Sequence, residues 1–321
     1  MTDTPAPAVD TSVAADASSP PRLRPGTLDD NHACFEILRA AVNDLARRIG
    51  AETFGEDDPE GTWRRFRPFS EHLTRTAAEF WVASAPDGGQ IVGFARSIDR
   101  DGLFELTEFF VTPGAQAAGI GRQLLERAFP LGRGEPRVII ATVDLRALSR
   151  YFRSGVVARV PIASFTGTAR RSEVASNLEI APVDADDEDF GSVDAIDDAV
   201  LGHRRTVDHR WFRTQREGYL YRRAGAIVGY GYVGRLEGAG SGPFAVLEAA
   251  DLPAAMAHAE SRRSEFGAAD MSFEVPLNSK IALEYLLARG YRMDQFLTLL
   301  LTSEPMRPLD GYLFTGPPLI L

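Results

Sequence analysis

Residues Leu103 to Phe129 read LFELTEFFVTPGAQAAGIGRQLLERAF. Beta-branched and aromatic residues from Leu103 to Val111 spell a strand, and Thr112-Pro113-Gly114 breaks it. Ile120, Leu124 and Ala128 then recur at helical spacing. Gly119 and Gly121 lack a Cβ, so the loop between strand and helix can turn tightly and approach a ligand. The first helical N–H groups have no partner and sit at the positive end of the helix dipole, which makes this junction a cradle for an anion, most naturally a phosphate.

Val111-Thr112-Pro113, followed by Gln116-Ala117-Ala118-Gly119-Ile120-Gly121, resembles the signature of the GNAT acetyltransferases, V-x-P and then Q/R-x-x-G-x-G/A. The resemblance implies that the loop binds the pyrophosphate of acetyl-CoA. It assigns Phe110, Val111, Gln116, Ala117, Ala118, Gly119, Ile120, Gly121 and Arg122 to cofactor binding, with the Val111 N–H facing the developing oxyanion. Arg is more common in the family where Gln116 stands, and larger or basic residues where the two alanines stand. Downstream, DLRALSRYFRSGV resembles the closing motif N-x-x-A-x-x-x-Y-x-x-x-G-F, with Asp144 for Asn and Val156 for Phe. Tyr151 then occupies the place of the general acid for the departing thiolate. A buried structural tyrosine is the alternative reading of that residue. Asp144 would line the pantetheine arm without offering an amide donor. Glu108 and Glu105 are the candidate bases, with Glu108 preferred. Their odd separation puts them on opposite faces of a regular strand unless a bulge intervenes, and each can equally be a solvent-facing strand carboxylate.

The chain has 321 residues, 44% apolar and 25% charged, which suits a globular protein of two domains. One cysteine, Cys34, cannot form an internal disulfide, and no Cys/His cluster has zinc-like spacing. A reducing, metal-free, cytoplasmic setting is expected. The first twenty residues lack the basic start and apolar core of a signal peptide and read as a disordered tail. No stretch approaches a membrane span. A net charge of −10 argues against nucleic acid as a partner. The expected partner is a small-molecule or peptide amine, and the expected assembly a monomer or homodimer.

Thr27 and Asp30 can cap a helix that stops at Gly50, a second helix is expected near Trp63 to Ala78, and Phe80–Ser84 with Ile91–Arg96 reads as a hairpin around Pro86-Asp87-Gly88-Gly89. Val138–Val143 is a further strand and Ala147–Arg153 a helix. Thr166 to Asn177 shows no periodicity and is read as the domain boundary. IVGF at Ile91 returns as IVGY at Ile227 (227 − 91 = 136), and Gly155 as Gly290 (290 − 155 = 135), which suggests duplication of a whole domain. The offset carries Gly119 and Gly121 to Ala254 and Met256, and Tyr151 to Leu286 beside Tyr285, so the second copy is expected to lack a working cofactor loop. It serves either as a structural partner or as a wall of the acceptor pocket. The acidic run Asp184 to Asp198 reads as a solvated helix face, and His203, Asp208 and His209 as surface residues. The apolar segment from Tyr312 to Leu321 is expected to dock, and Leu321 to be able to reach the first domain.

The expected fold is α/β (α+β): a tail over 1–20, a cofactor-binding GNAT domain over 21–168, a linker over 169–177 and a degenerate GNAT-like domain over 178–321. Each domain is a mixed, mostly antiparallel central sheet flanked by helices. The expected activity is acetyl-CoA-dependent N-acetyl transfer directly to a primary amine. The alternative is a non-catalytic acyl-CoA-binding sensor or scaffold.

Overall fold

Residues 22–85, 89–114, 119–172, 174–184, 187–235, 240–316, 320 and 321 are described by the computed structural model. The expectations for residues 1–20, for Pro86-Asp87-Gly88, for Gln116, Ala117 and Ala118, and for residues 317–319 of the apolar tail lie outside the described residues. After β1 (Arg22–Pro25), the Thr27 N–H donates to Asp30 Oδ2 at 2.8 Å and closes a capping box. Helix α1 (Asn31–Ile49) follows, and Gly50 ends it in the left-handed conformation at φ 74°. Helix α2 (Pro59–Arg75) starts where Asp58 accepts the Gly61 N–H and Pro59 fits the first turn. It lies earlier than the expected 63–78 because Ala77 already belongs to β2 (Ala77–Ser84), which pairs with β3 (Ile91–Arg100).

The decisive stretch forms β4 (Leu103–Val111) and α3 (Ile120–Ala128), followed by β5 (Arg137–Thr142), α4 (Leu145–Arg153) and β6 (Val157–Thr168). The second half repeats the order: β7 (Glu179–Pro182), α5 (Asp187–Val200), α6 (Thr206–Gln215), β8 (Arg216–Arg223), β9 (Ala226–Gly234), β10 (Phe244–Val246), α7 (Leu252–Glu265), β11 (Asp270–Pro276), α8 (Lys280–Ala288) and β12 (Arg292–Thr302). IVGF and IVGY fall on the matching strands β3 and β9. Gly155 and Gly290 are the left-handed residues just after α4 and α8, at φ 84° and 79°.

The sheets do not divide where the sequence does. One sheet runs β1-β2-β3-β4-β5-β12-β6-β11, antiparallel except for the short parallel pairing of β4 with β5. The last strand of each copy is thus exchanged: β12 pairs with β5 of the first half, and β6 pairs with β11 of the second. Side chains explain the exchange. Leu301 packs into the first core with Ile139 and Leu124, whereas Ala163 and Phe165 pack into the second with Met271 and Phe273. The strand β6 also runs through Thr168, so Thr166 to Thr168, expected to be irregular, is paired with β11.

A second sheet runs β13-β10-β9-β8-β7, where β13 is Tyr312–Leu313 of the apolar tail. In the first half, β4 and β5 diverge and leave a gap. In the second half, β13 fills the equivalent place, pairing with β10 while Phe314 bridges to Glu274 of β11. Beyond it, Ile320 packs with Leu73 and Ile98, and the Leu321 N–H donates to Glu105 Oε2 at 3.0 Å, so the tail docks on both halves.

Three readings of the second half are corrected. Ala254 and Met256 lie inside α7 rather than in a loop; the segment matching the glycine loop is Leu247 to Asp251, which contains no glycine. A constant offset fails there because the connection before α7 is shorter. The acidic run is not wholly solvated, since Asp197 is fully buried. His203, Asp208 and His209 are buried as well, not surface residues. Asp197 accepts from Arg205 Nε and contacts His209 Nε2, both at 2.7 Å, with Tyr230 and Tyr312 closing around the same arginine. Asp208 meets Arg100 and His72 of the first half at 2.5 and 2.6 Å, joining the halves through buried charge. Among the described residues, no helix is long and apolar enough to cross a membrane, and no group of three or more His, Cys, Asp or Glu could hold a metal ion.

Candidate active site

The parallel pairing of β4 with β5 ends at Leu106 opposite Ile139, and beyond it the strands separate. The cause lies next door. Arg96 pairs with Glu108 while Ser97 pairs with Leu106, so Thr107 is the extra residue of a bulge, which bends β4 away. The separation leaves a slot of about 290 Å³ that passes through the sheet. Thr112 donates its N–H to Val92 of β3. Because N–H groups alternate along a strand, that of Val111 points into the slot.

One side of the slot faces α3 and α4. There Gly119 is the N-cap of α3, at φ 73°, and Arg122 N–H returns to Gly119 O at 3.1 Å. This leaves the N–H groups of Ile120 and Gly121 as the open end of the helix. A Cβ on Gly121 would lie 3.1 Å from Arg150 Nη1 and 3.2 Å from Phe109 Cζ, so a side chain there would press against both, and glycine leaves room for the close approach. Arg150 thus holds a guanidinium against the helix N-terminus, with no ion-pair partner among the described residues. Sequence reading missed Arg150, although it stands one position before Tyr151, where a helix from the far side of the slot turns toward the loop. An unpaired cation, a positive helix end and a glycine that admits close approach together fit a phosphate-bearing group.

Tyr151 is buried and lines the slot, its ring edge-on to Phe109 at 6.0 Å. Burial, helped by Asp144, pushes its hydroxyl well above the usual range, so it keeps its proton at any physiological pH. Phe110 and Val111 also line the slot. Arg122 is exposed and spaced for an ion pair with Glu126, at 3.6 Å. Asp144 caps α4 by accepting the Arg146 N–H and binds Arg48 at 2.8 Å and Arg146 at 3.0 Å. Burial would raise its carboxyl, but those two arginines outweigh burial and hold it well below the carboxylate range.

Glu105 and Glu108 sit elsewhere. The bulge at Thr107 restores an even spacing, so the two share one face rather than opposite ones, and neither lines the slot. Glu108 is buried in an ion pair with Arg96, which also donates to Asn31 Oδ1 at 2.9 Å and lies over the Phe80 ring at 4.2 Å. Burial raises the Glu108 carboxyl against the opposing pull of Arg96. Glu105 is fully buried, its Oε1 has no hydrogen-bond partner among the described residues, and burial pushes it up to about 8.

Residues 42–154 match the family described as Acetyltransferase (GNAT) family. No curated protein matches the chain. Among solved structures, a Pyrococcus horikoshii protein assigned to the acetyltransferases is similar at 15% identity, covering 95% of this chain and 97% of its own with a TM-score of 0.67. A GCN5-related N-acetyltransferase from Sphaerobacter thermophilus is similar at 15% identity, covering 90% and 96% at a TM-score of 0.60. A tandem GNAT protein from the clavulanic acid biosynthesis pathway is similar at 17% identity, covering 89% and 99% at a TM-score of 0.54. At such identities the likeness shows the fold alone, and it extends over both halves. The family match lies on the first half, and the duplicated order of elements carries the same fold over both halves, as in a tandem GNAT protein.

Proposed function

We propose that the protein is an acetyl-CoA-dependent N-acetyltransferase that transfers the acetyl group directly to a primary amine at the slot of the first half. The family match over residues 42–154 supports acyl transfer in general. The observation that carries the finer reading is the convergence, on one through-going slot, of the open α3 N-terminus with Arg150, the inward Val111 N–H and the protonated Tyr151.

Gly119, Ile120, Gly121 and Arg150 would hold the pyrophosphate, with Gln116, Ala117, Ala118 and Arg122 completing the loop, and Phe110 and Asp144 would flank the pantetheine arm. Acetyl-CoA, when bound, supplies the thioester carbonyl. The amine nitrogen forms the new N–C bond as the C–S bond breaks. The Val111 N–H donates to the carbonyl oxygen as charge develops on it, Tyr151 gives its proton to the leaving sulfur, and the amine proton passes to solvent. Glu105 and Glu108 belong to the reacting strand but stand off the slot wall. With its carboxyl pushed up to about 8 by burial, Glu105 already holds a proton near neutrality, which is consistent with the amine proton leaving to solvent.

Calorimetric titration with acetyl-CoA tests the reading. We expect one site per chain, abolished by Gly119→Glu, which adds a side chain and a negative charge at a left-handed position facing phosphate. Two sites would mean that the second half also binds, and none would remove the reading altogether. A second reading, an acyl-CoA sensor without turnover, is favoured by the absence of a carboxylate base on the slot wall among the described residues. It predicts the same titration with no release of free thiol in the presence of amines.

A further inference from the structure

The slot has two chemically different ends. On the α3 side it meets the glycine loop, Arg150 and Tyr151. The other end opens toward α1, where Val42 and Leu45 form one wall and Phe110 and Ile140 the strand edges. The remaining wall comes from the second half: Phe296 and Thr298 of the exchanged strand β12. A register shift explains why Phe296 is there. Met293 pairs with Phe165 and Leu297 with Ala163, so Asp294, Gln295 and Phe296 stand opposite Ser164 alone, and the bulged strand turns Phe296 into the slot as β12 leaves β5.

Among the described residues, this chamber offers no unpaired carboxylate to receive a cation. The one carboxylate on the slot lining among the described residues, Asp144, is already bound by Arg48 and Arg146 at the rim, and Arg146 also reaches Asp44 of α1 at 3.4 Å. An acceptor entering from this side therefore meets apolar side chains and threonine hydroxyls. A polycation would lose its hydration without gaining an ion pair, which is costly. A monoamine on an apolar body would bury that body, and the same apolar walls favour its neutral, nucleophilic form.

We infer that the acceptor is a monoamine on an apolar, aryl- or alkyl-type body, and that Phe296, delivered by the second half, is a specificity-determining residue for it. The inference rests on the acetyl-transfer reading above and narrows its substrate class. The second half then acts as a wall of the acceptor pocket.

The test compares 2-phenylethylamine with spermidine as acceptors in the full-length protein with acetyl-CoA, following the acetylated amine by mass spectrometry. Binding of 2-phenylethylamine in the presence of coenzyme A is measured separately by calorimetry. We expect kcat/KM to favour 2-phenylethylamine by at least about tenfold. Phe296→Ala should lower that preference by about tenfold, mainly through KM, because a large apolar contact is lost. Val42→Phe, which narrows the chamber from the opposite wall, should weaken 2-phenylethylamine binding while leaving acetyl-CoA binding intact, which also shows that the variant is folded. A preference for spermidine overturns the inference and leaves acetyl transfer standing, as does a ratio that neither variant moves. Bound acetyl-CoA with no binding of 2-phenylethylamine overturns it too. Failure to bind acetyl-CoA removes the functional reading itself, and this inference with it.

Discussion

Tyr151 and Asp208 show what single side chains do in this chain. Tyr151→Phe keeps the ring against Phe109 but removes the proton donor. We expect acetyl-CoA binding to be unchanged and kcat to fall by roughly 10²-fold or more; unchanged turnover would return Tyr151 to a purely structural role. Asp208 is fully buried between Arg100 and His72. Burial would raise its carboxyl, yet hydrogen bonds from His72 and Arg100 hold it well below the carboxylate range. Asp208→Ala leaves a buried guanidinium without its counter-charge, so we expect a loss of about 3–5 kcal/mol in urea unfolding. A loss below about 1 kcal/mol, the size of a surface pair, would show that the cluster does not hold the halves together. Tyr151 could be placed from the sequence because its spacing to Ala147 and Gly155 is local. Asp197, Asp208 and His209 could not, since their partners lie on strands and helices far away in the chain and helical charge patterns look alike whether water or arginine satisfies them.

Elements whose signals are local were legible. The capping box at Thr27, the stop at Gly50, the strand from Leu103 to Val111 and the glycine-started helix all lie where propensity puts them. The bulges at Thr107 and before Leu297 were not legible, because a bulge is defined by the partner strand. Nor was the exchange of β6 and β12, since both are apolar strands that suit either core. That exchange carries an element-scale prediction. Nicking the connection at residues 169–177 should leave the two fragments together on native size exclusion, because each contributes a strand to the other's sheet. The fragments should separate only on denaturation. Separation under native conditions would mean that the exchanged pairing contributes little to stability.

Over the whole molecule, the tail ties pH to stability. Glu105 titrates at about 8 when folded, raised from 4.5 by burial and opposed by the Leu321 N–H. Between those two values the folded chain holds a proton that the unfolded chain has released, so stability falls as pH rises from 4.5 toward 8 and this contribution is constant above it. Glu105→Gln should flatten that slope in urea midpoints measured from pH 5 to pH 8, and parallel curves for the two proteins would show that Glu105 is not the group concerned. The duplicated architecture was legible from IVGF, IVGY and the two helix-ending glycines. The filling of the second gap by Tyr312–Leu313 was not, because the sequence marks the tail as apolar without saying where it lands. The exchanged strand makes the two copies depend on each other. Because β12 completes the first half's sheet, a substitution in it is felt at the first half's slot. The second copy has no glycine in the segment matching the loop and its gap is filled, yet its last strand is part of the other copy's sheet, so the two copies cannot change independently.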